Sequence, residues 1–384
     1  MNRSPNSPCW GTPPWTIDFR PVRHPLPPNV DFAVIGGGFT GLAAAAWLRH
    51  IAPQKTVVLL ESSEIGAGAS GRTGGLALAQ TAAGDMPGLG DALAGFSDAL
   101  NALGVACDLH LPGVWELARP NPLPGPLPRS PIAWTDSGNL RAVAEVPGGT
   151  IDPGKMVSGL ARAAEQRGVR IFERTPVDDV TFDEPLRLKI GNRELRAQGL
   201  LFACNAQSLE ISGLARITEP KFTLATATAP FTAAQIAELG LSSGKPFYTI
   251  EMPYLWGRLL PGDRIIFGAG LVHLKNWREL HSLDVAAGEP LALFERFEQR
   301  VRKFHPVLRD VQFTHRWGGP LLVGAGWDMR PIFRRHPASP RALVLGAYSG
   351  HGVALSVYLG LWAAEALLGR RELPHWDTAE MGTA

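Results

Sequence analysis

The chain has 384 residues, 45% of them hydrophobic, with 37 basic against 35 acidic side chains for a net charge of +2. That length fills one large domain or two intertwined ones, and the near-neutral charge gives no electrostatic footprint for nucleic acid or an anionic membrane, so a small partner is expected. Three distant cysteines, Cys9, Cys107 and Cys204, indicate neither a disulfide framework nor a metal site, and neither a signal-peptide core nor the roughly 18 apolar residues of a membrane span is present, so a cytoplasmic location is expected.

Residues 1–29 carry proline and tryptophan, as in CWGTPPW and HPLPPN, at a density that disfavours helix and central strand and predicts an extended arm. Trp10, Trp15 and Phe19 should pack it on the body, because three exposed aromatics on a free tail would be unusual. From Asp31 to Glu61 the pattern is strand, tight turn, helix and strand, half of a parallel sheet. Residues 85–147 are rich in proline and glycine, and the run NPLPGPLPRSP at 121–131 reads as a surface excursion. A second β-α-β pattern spans Ile151 to Val180, with an amphipathic stretch from Lys155 to Gln166, Gly168 as its stop and a strand from Val169 to Phe172. Leu200 to Ala203 reads as another buried strand. From Lys221 to Gly270 longer alternating segments such as PYLWGRLLPGDRIIF predict an antiparallel sheet, Pro261, Gly262 and Asp263 turning one strand onto the next. A helix-like stretch at Pro290 to His305, a strand at Leu343 to Leu345, a glycine turn and an apolar helix from Val353 to Leu368, stopped by Gly369, complete the pattern.

The run Val34-Ile35-Gly36-Gly37-Gly38-Phe39-Thr40-Gly41 follows an apolar strand and opens a helix of small residues, Leu42 to Ala46. Gly36 permits a tight turn, Gly38 lets a pyrophosphate approach the backbone, and Gly41 lets helix and strand pack closely. The helix N-terminus, with Phe39 and Thr40 in its first turn, offers unpaired N–H groups to phosphate. Glu61, twenty residues past Gly41 and followed by Ser62, is placed to accept ribose hydroxyls. These residues predict a dinucleotide site; the plain alternative is an α/β domain whose glycines only make a turn. The stretch from Glu64 to Gly75 then holds five glycines in its last ten residues. Either it follows a ligand with its backbone, Ser70 and Arg72 adding a hydroxyl and a guanidinium for phosphate or flavin oxygens, or it is a flexible surface loop; composition does not separate the two.

IGGGFTGL, the acid ending LLE, and GAGASGRTGG, in that order, resemble the D-amino-acid oxidase superfamily of flavoproteins, and within it the glycine oxidase, sarcosine oxidase and gamma-glutamylputrescine oxidoreductase branch. The likeness continues through GGTIDPGKMVSGLARAAEQRGVRIFERTPV and PYLWGRLLPGDRIIFGAG into WGG, DMRP and GAYSGHGVALSVYLG, nearly the whole chain after residue 30. It implies non-covalent FAD, with the adenosine over Gly36 to Gly41 and Glu61 and the Val177 backbone at the adenine. The isoalloxazine is implied between Arg72 to Gly75, with Gly74, and the late turn Gly350, His351, Gly352, Val353, and Ser70, Gly71 and Gly346 are further cofactor-binding candidates. That turn joins a strand to a helix N-terminus, whose positive end would stabilise negative charge on the flavin N1 and O2 side; ordinary chain reversal is the alternative. The implied reaction is hydride transfer from the carbon beside a substrate nitrogen to flavin N5, giving an imine that water hydrolyses, with oxygen or another acceptor taking the electrons. The expected fold class is α/β, α+β overall: a Rossmann-like FAD-binding domain from residues 30–84, 148–220 and 313–384, and a second antiparallel-sheet substrate domain from 85–147 and 221–312.

For the substrate pocket, Tyr254, Trp256 and Arg258 should point the same way by two-residue alternation, and Trp317 and Tyr348 complete an aromatic wall suited to an amine or an apolar body. Each is equally readable as core or domain seam, and His351 either tunes the ring or holds its loop. Two positions depart from the family pattern. Trp317 is followed by Gly318-Gly319-Pro320-Leu321-Leu322, where glycine oxidase-like members carry a carboxylate-holding arginine. Arg264-Ile265-Ile266-Phe267-Gly268 lacks the lysine that sarcosine oxidase-like members place over the flavin, and no cysteine follows Cys204 to attach it. The expected substrate therefore moves from a simple α-amino acid toward an amine, a secondary amine, or an acid held by Arg258. The competing readings are a flavin dehydrogenase passing electrons to a quinone or protein, and a flavin-binding subunit completed by a partner.

Overall fold

The computed structural model describes residues 9–119 and 130–376. Strand β1 (Asn29–Ile35), helix α1 (Phe39–Ile51) and strand β2 (Val57–Leu60) follow in the expected order. Ala33 to Ile35 and all of β2 are buried, as strands covered on both faces of a parallel sheet must be. β1 lies between β2 and Arg193–Phe202, both parallel to it. Arg170–Phe172 extends the sheet beyond β2; Ser339–Gly346 and then the antiparallel Ile332–His336 extend it on the other side. Because β1, Arg193–Phe202 and Ser339–Gly346 run parallel, the turns that follow them open along one edge of the sheet.

α1 is buried from Phe39 to Leu48, which its alanines allow, and it packs against helices Pro153–Gln166 and Gly352–Leu367. A Cβ at Gly360 would stand 3.0 Å from both the Ala43 methyl and the Thr40 carbonyl oxygen, so that glycine sets how closely the last helix crosses the start of α1. The glycine turns after β1 and after Ser339–Gly346 are thereby tied together.

Among the described residues the second sheet has eight strands, in the order Phe313–Gly324, Thr218–Thr228, Arg264–His273, Trp256–Leu260, Phe247–Thr249, Val114–Ala118, Asn139–Val146 and Ala133–Thr135. All neighbours are antiparallel except Phe247–Thr249 and Val114–Ala118. One face buries Phe247, Ile265 and Phe267 with Trp134 and with Phe297 and Val301 of helix Gly288–Arg302. The other face looks toward the glycine-rich loop at 66–75.

Two segments sit differently from the expected partition. Phe313–Gly324, grouped with the nucleotide domain on sequence, hydrogen-bonds along its length to Thr218–Thr228 and is an edge strand of the second sheet. Within the proline-rich stretch grouped with the substrate domain, Ala92–Leu103 is a helix, capped by the Asp91 carboxylate and stopped by left-handed Gly104. It buries Leu93, Phe96, Leu100 and Leu103 in the core around α1, and the Tyr358 hydroxyl of the last helix donates to the Leu89 carbonyl. Apolar spacing, not proline content, decided its fate. Residues 120–129 of the expected surface excursion, 1–8 of the arm and 377–384 lie outside the described residues.

The rest of the arm packs on the body: Trp10 and Phe19 are buried, and the Trp10 indole donates to the Leu280 carbonyl at 2.7 Å. Among the described residues no helix is long and apolar enough to cross a membrane.

Candidate active site

The turn after β1 is shaped by contacts that exclude side chains. Gly36 has φ +113°, and a Cβ there would lie 2.5 Å from the Ala203 carbonyl oxygen. Glu61, at the end of β2, accepts the Gly37 N–H and the Ser63 N–H, each at 2.8 Å, and the Ser62 hydroxyl at 3.2 Å. Burial pushes its carboxyl above the ordinary value, against the hydrogen bonds that favour the ionised form. Gly38 starts α1 with no side-chain cap. The Ser70 hydroxyl accepts the Phe39 N–H at 2.9 Å, so this serine caps one amide of the helix end while its O–H remains a donor. The other first-turn amides are left for an anion. Thr175 N–H donates to the Glu61 carbonyl and Arg174 N–H to that of Ser63, which runs the stretch leading to Val177 alongside the Glu61 to Ser63 loop.

The late turn is held in an unusual conformation. Ala347, Ser349 and Gly350 all have positive φ, near +55°, +52° and +91°. Two hydrogen bonds keep them there: Ala347 N–H to the Asn205 side-chain oxygen at 3.0 Å, and Ser349 N–H to the Leu322 carbonyl at 3.3 Å. Gly346 lies against Asn205, and a Cβ at Gly352 would touch the Tyr348 side chain at 3.3 Å. His351 precedes helix Gly352–Leu367 without a side-chain cap bond, leaving the amides of Gly352 and Val353 at an open, positive helix end. Burial pulls the His351 imidazole below its ordinary value, so it is neutral at pH 7. The Tyr348 hydroxyl meets that of Thr40 at 2.6 Å, a strut between the two glycine turns.

Three side chains from distant segments hold carbonyls of the glycine-rich loop. The Trp15 indole donates to Gly71 at 2.8 Å, the Trp317 indole to Arg72 at 2.9 Å, and Arg258 Nε to Gly74 at 2.6 Å. Trp15 and Trp317 meet edge to face, with ring centroids 5.5 Å apart. The Trp256 ring is wedged between glycines: a Cβ on Gly74 would lie 2.1 Å from it, and one on Gly268 1.9 Å. Gly71 is pressed on the Gly66 carbonyl, and Gly75 has φ +76°. Arg258 is buried, and burial brings its guanidinium down to about 10, which still leaves it charged at neutral pH.

Backbone carbonyls engage Nε and Nη1 of the Arg72 guanidinium. Nε donates to the Ala67 carbonyl, and Nη1 is shared by the carbonyls of Trp10, Gly11 and Gly318 at 3.0 to 3.2 Å. The group also sits over the Trp10 ring. Its place is the seam between arm, loop and second sheet.

Strand register places a row of residues across the face of the second sheet that meets this loop. Glu116 pairs with Tyr248, Tyr248 with Trp256, Trp256 with Gly268, Gly268 with Ala225, and Ala225 with Trp317. Small residues in the middle leave the two indoles standing at either side, and the Tyr248 hydroxyl donates to Glu116 at 2.5 Å. Tyr254 has no strand partner in the row, although its phenol lies near enough to that of Tyr248 to help raise its pKa. The strand begins at Trp256, and Tyr254 lies before it in a loop, 38% exposed, its carbonyl accepting from Arg300. Strand alternation cannot be extended past a strand's first residue. Glu116, Tyr248, Asn205 and Trp15 were not singled out as site residues from sequence; the first two are 132 residues apart and carry no local motif.

The family model described as FAD dependent oxidoreductase matches residues 31–366. A probable oxidoreductase OrdL of Rhizobium meliloti is 27% identical over 96% of this chain and 90% of its own length. The gamma-glutamylputrescine oxidoreductase of Escherichia coli is 26% identical over 90% of this chain and 87% of its own. Among solved structures, glycine oxidase from Geobacillus kaustophilus superposes with a TM-score of 0.69 at 17% identity, covering 90% of this chain and 96% of that one. L-proline dehydrogenase from P. horikoshii gives 0.72 at 18%, covering 91% and 96%. The structural likenesses show the fold, and the uncapped helix ends, the anchored Glu61 and the glycine loop fit the cofactor. The chain belongs to the FAD dependent oxidoreductase family.

Proposed function

We propose that this FAD-dependent oxidoreductase oxidises an amine or amino-acid derivative at the carbon beside nitrogen, with FAD held non-covalently. The observation that carries the reading is the Trp256 ring wedged between Gly74 and Gly268, facing the loop expected to lie at the isoalloxazine. FAD, which the α1 N-terminus, Glu61, the glycine-rich loop and the late turn would hold, would supply the two-electron oxidation of the substrate's carbon–nitrogen bond to an imine that water hydrolyses, with oxygen or another acceptor taking the electrons. The protein's share is orientation and exclusion of water. Trp256 presents an apolar face to the substrate, Arg258, Trp15 and the fully buried Trp317 fix the loop beneath it, and the helix end at His351 would supply a positive field for charge on the ring. Burial pushes the thiols of Cys107 and Cys204 up to about 12, so neither is a thiolate suited to covalent attachment. The names of the relatives support a substrate with an oxidisable carbon–nitrogen bond.

Aerobic incubation of the purified yellow protein with a panel of amines and amino acids tests the reading. A carbonyl product formed with release of ammonia or a shorter amine is expected, and hydrogen peroxide marks oxygen as the acceptor. Substrate loss without a carbonyl product would count against it. Trp256→Ala should lower kcat/KM at least tenfold, an order-of-magnitude figure for a displaced positioning residue.

A further inference from the structure

We propose that Glu116 determines specificity by pairing with a second, protonated nitrogen of the substrate, so that the preferred substrate is an amine with two basic centres. The inference rests on the amine-oxidising reading above. Glu116 stands in the same cross-strand row as Trp256, two strands away by way of Tyr248, roughly 10 Å along the sheet. Its carboxylate is half-buried, and its one described hydrogen bond comes from the Tyr248 hydroxyl on Oε1. That bond fixes the carboxylate and leaves Oε2 without a described partner. The phenol is no alternative anion, because burial and Glu116 together push Tyr248 far above its ordinary value.

No described cation neutralises Glu116. Arg119, three residues along the chain, is taken by Asp136 and Glu251, and Lys245 is taken by Glu145 and sits over Trp115 on the opposite face. A half-buried carboxylate without a counter-charge loses solvation and gains nothing in return until a cation arrives. Arg258, two residues from Trp256 on this face, is turned to the Gly74 carbonyl, and Lys221 on the far strand is paired with Glu219.

The two nitrogens have separate duties. The one beside the oxidised carbon must be neutral, because its lone pair forms the C=N bond as hydride leaves. The distal one remains protonated, paired with Glu116, with the aliphatic spacer along the Trp256 and Tyr248 rings.

The test compares straight-chain α,ω-diamines with matched monoamines and ω-amino acids. Affinity is read by calorimetry on dithionite-reduced holoenzyme, which cannot turn over, and oxidation by anaerobic flavin bleaching of oxidised holoenzyme. The wild type should bind the best diamine roughly ten- to a hundredfold more tightly than its monoamine, and bind the ω-amino acid more weakly than either. Glu116→Gln should lose at least tenfold more affinity for the diamine than for the monoamine, with the bound-flavin spectrum retained. Equal wild-type affinities for diamine and monoamine would overturn the proposal without recourse to any variant, as would an unchanged preference in Glu116→Gln. A diamine that binds with the expected preference and leaves the flavin oxidised would uphold Glu116 as the cation site and overturn the oxidation reading.

Discussion

The hydroxyls of Tyr348 and Thr40, 308 residues apart in sequence, stand 2.6 Å from each other and join the turn expected at the flavin ring to the turn expected at the pyrophosphate. A cofactor spanning both turns gains from their being held at a fixed separation. Tyr348→Phe removes one hydrogen bond and leaves buried Thr40 unpartnered, at a cost of about 1 to 2 kcal/mol. FAD titration of the apoprotein should therefore show affinity reduced roughly tenfold. Thr40→Val in the same background should add little, since both changes break one interaction.

Gly74 and Trp256 occupy space that only one of them can fill with a side chain. A Cβ on Gly74 falls 2.1 Å from the indole, so Gly74→Ala must displace the ring or the loop. Thermal denaturation of the holoenzyme should report a loss of about 1 to 3 kcal/mol. Combining Gly74→Ala with Trp256→Leu should cost less than the sum of the two single changes, because the smaller side chain vacates the clash.

The arm is tied to the active-site loop through Arg72, which has only carbonyl partners from residues 10, 11, 67 and 318 among its described bonds. Burial lowers its pKa to about 10, so it remains a guanidinium under physiological conditions. A lysine cannot reproduce the fork. Arg72→Lys should expose the arm to limited proteolysis at residues 9–28 and speed FAD release, both measurable on one preparation.

Far from the loop, buried Asp136 accepts from Arg300 at 2.6 and 3.0 Å and also from Arg119. Burial alone would raise its pKa, but the hydrogen bonds and charges of the two arginines outweigh it and hold the carboxyl below its ordinary 3.8. With the folded value depressed, the stabilisation is complete above the unfolded value and disappears as pH falls through the folded one. Asp136→Asn should cost about 3 kcal/mol at pH 7, since it leaves two guanidinium groups facing a neutral amide. Urea unfolding should show wild type and variant converging below about pH 4.

The glycine turn and Glu61 were legible because each residue there answers a local demand: positive φ at Gly36, an uncapped helix at Gly38, an acid at the end of β2. Composition left the glycine-rich loop open between following a ligand and lying free on the surface, and its fastening was not legible, because Trp15, Arg258 and Trp317 reach it across 56, 184 and 245 residues. The structural role of Arg72 was not legible, because a guanidinium in a glycine-rich loop reads as an anion binder, and the carbonyls of the arm seam that engage its Nε and Nη1 come from distant segments. Alternation does not place Tyr254, because it assumes a strand and the strand starts two residues later. Glu116 became visible only through register, which sequence does not state.

Anaerobic addition of an amine to the oxidised holoenzyme tests the central claim most directly, read at the flavin band near 450 nm, an approximate position for any bound oxidised flavin. Loss of that band, with release of a carbonyl compound equal to the flavin reduced, is the predicted result. A band that dithionite bleaches but no amine or amino acid alters would contradict it.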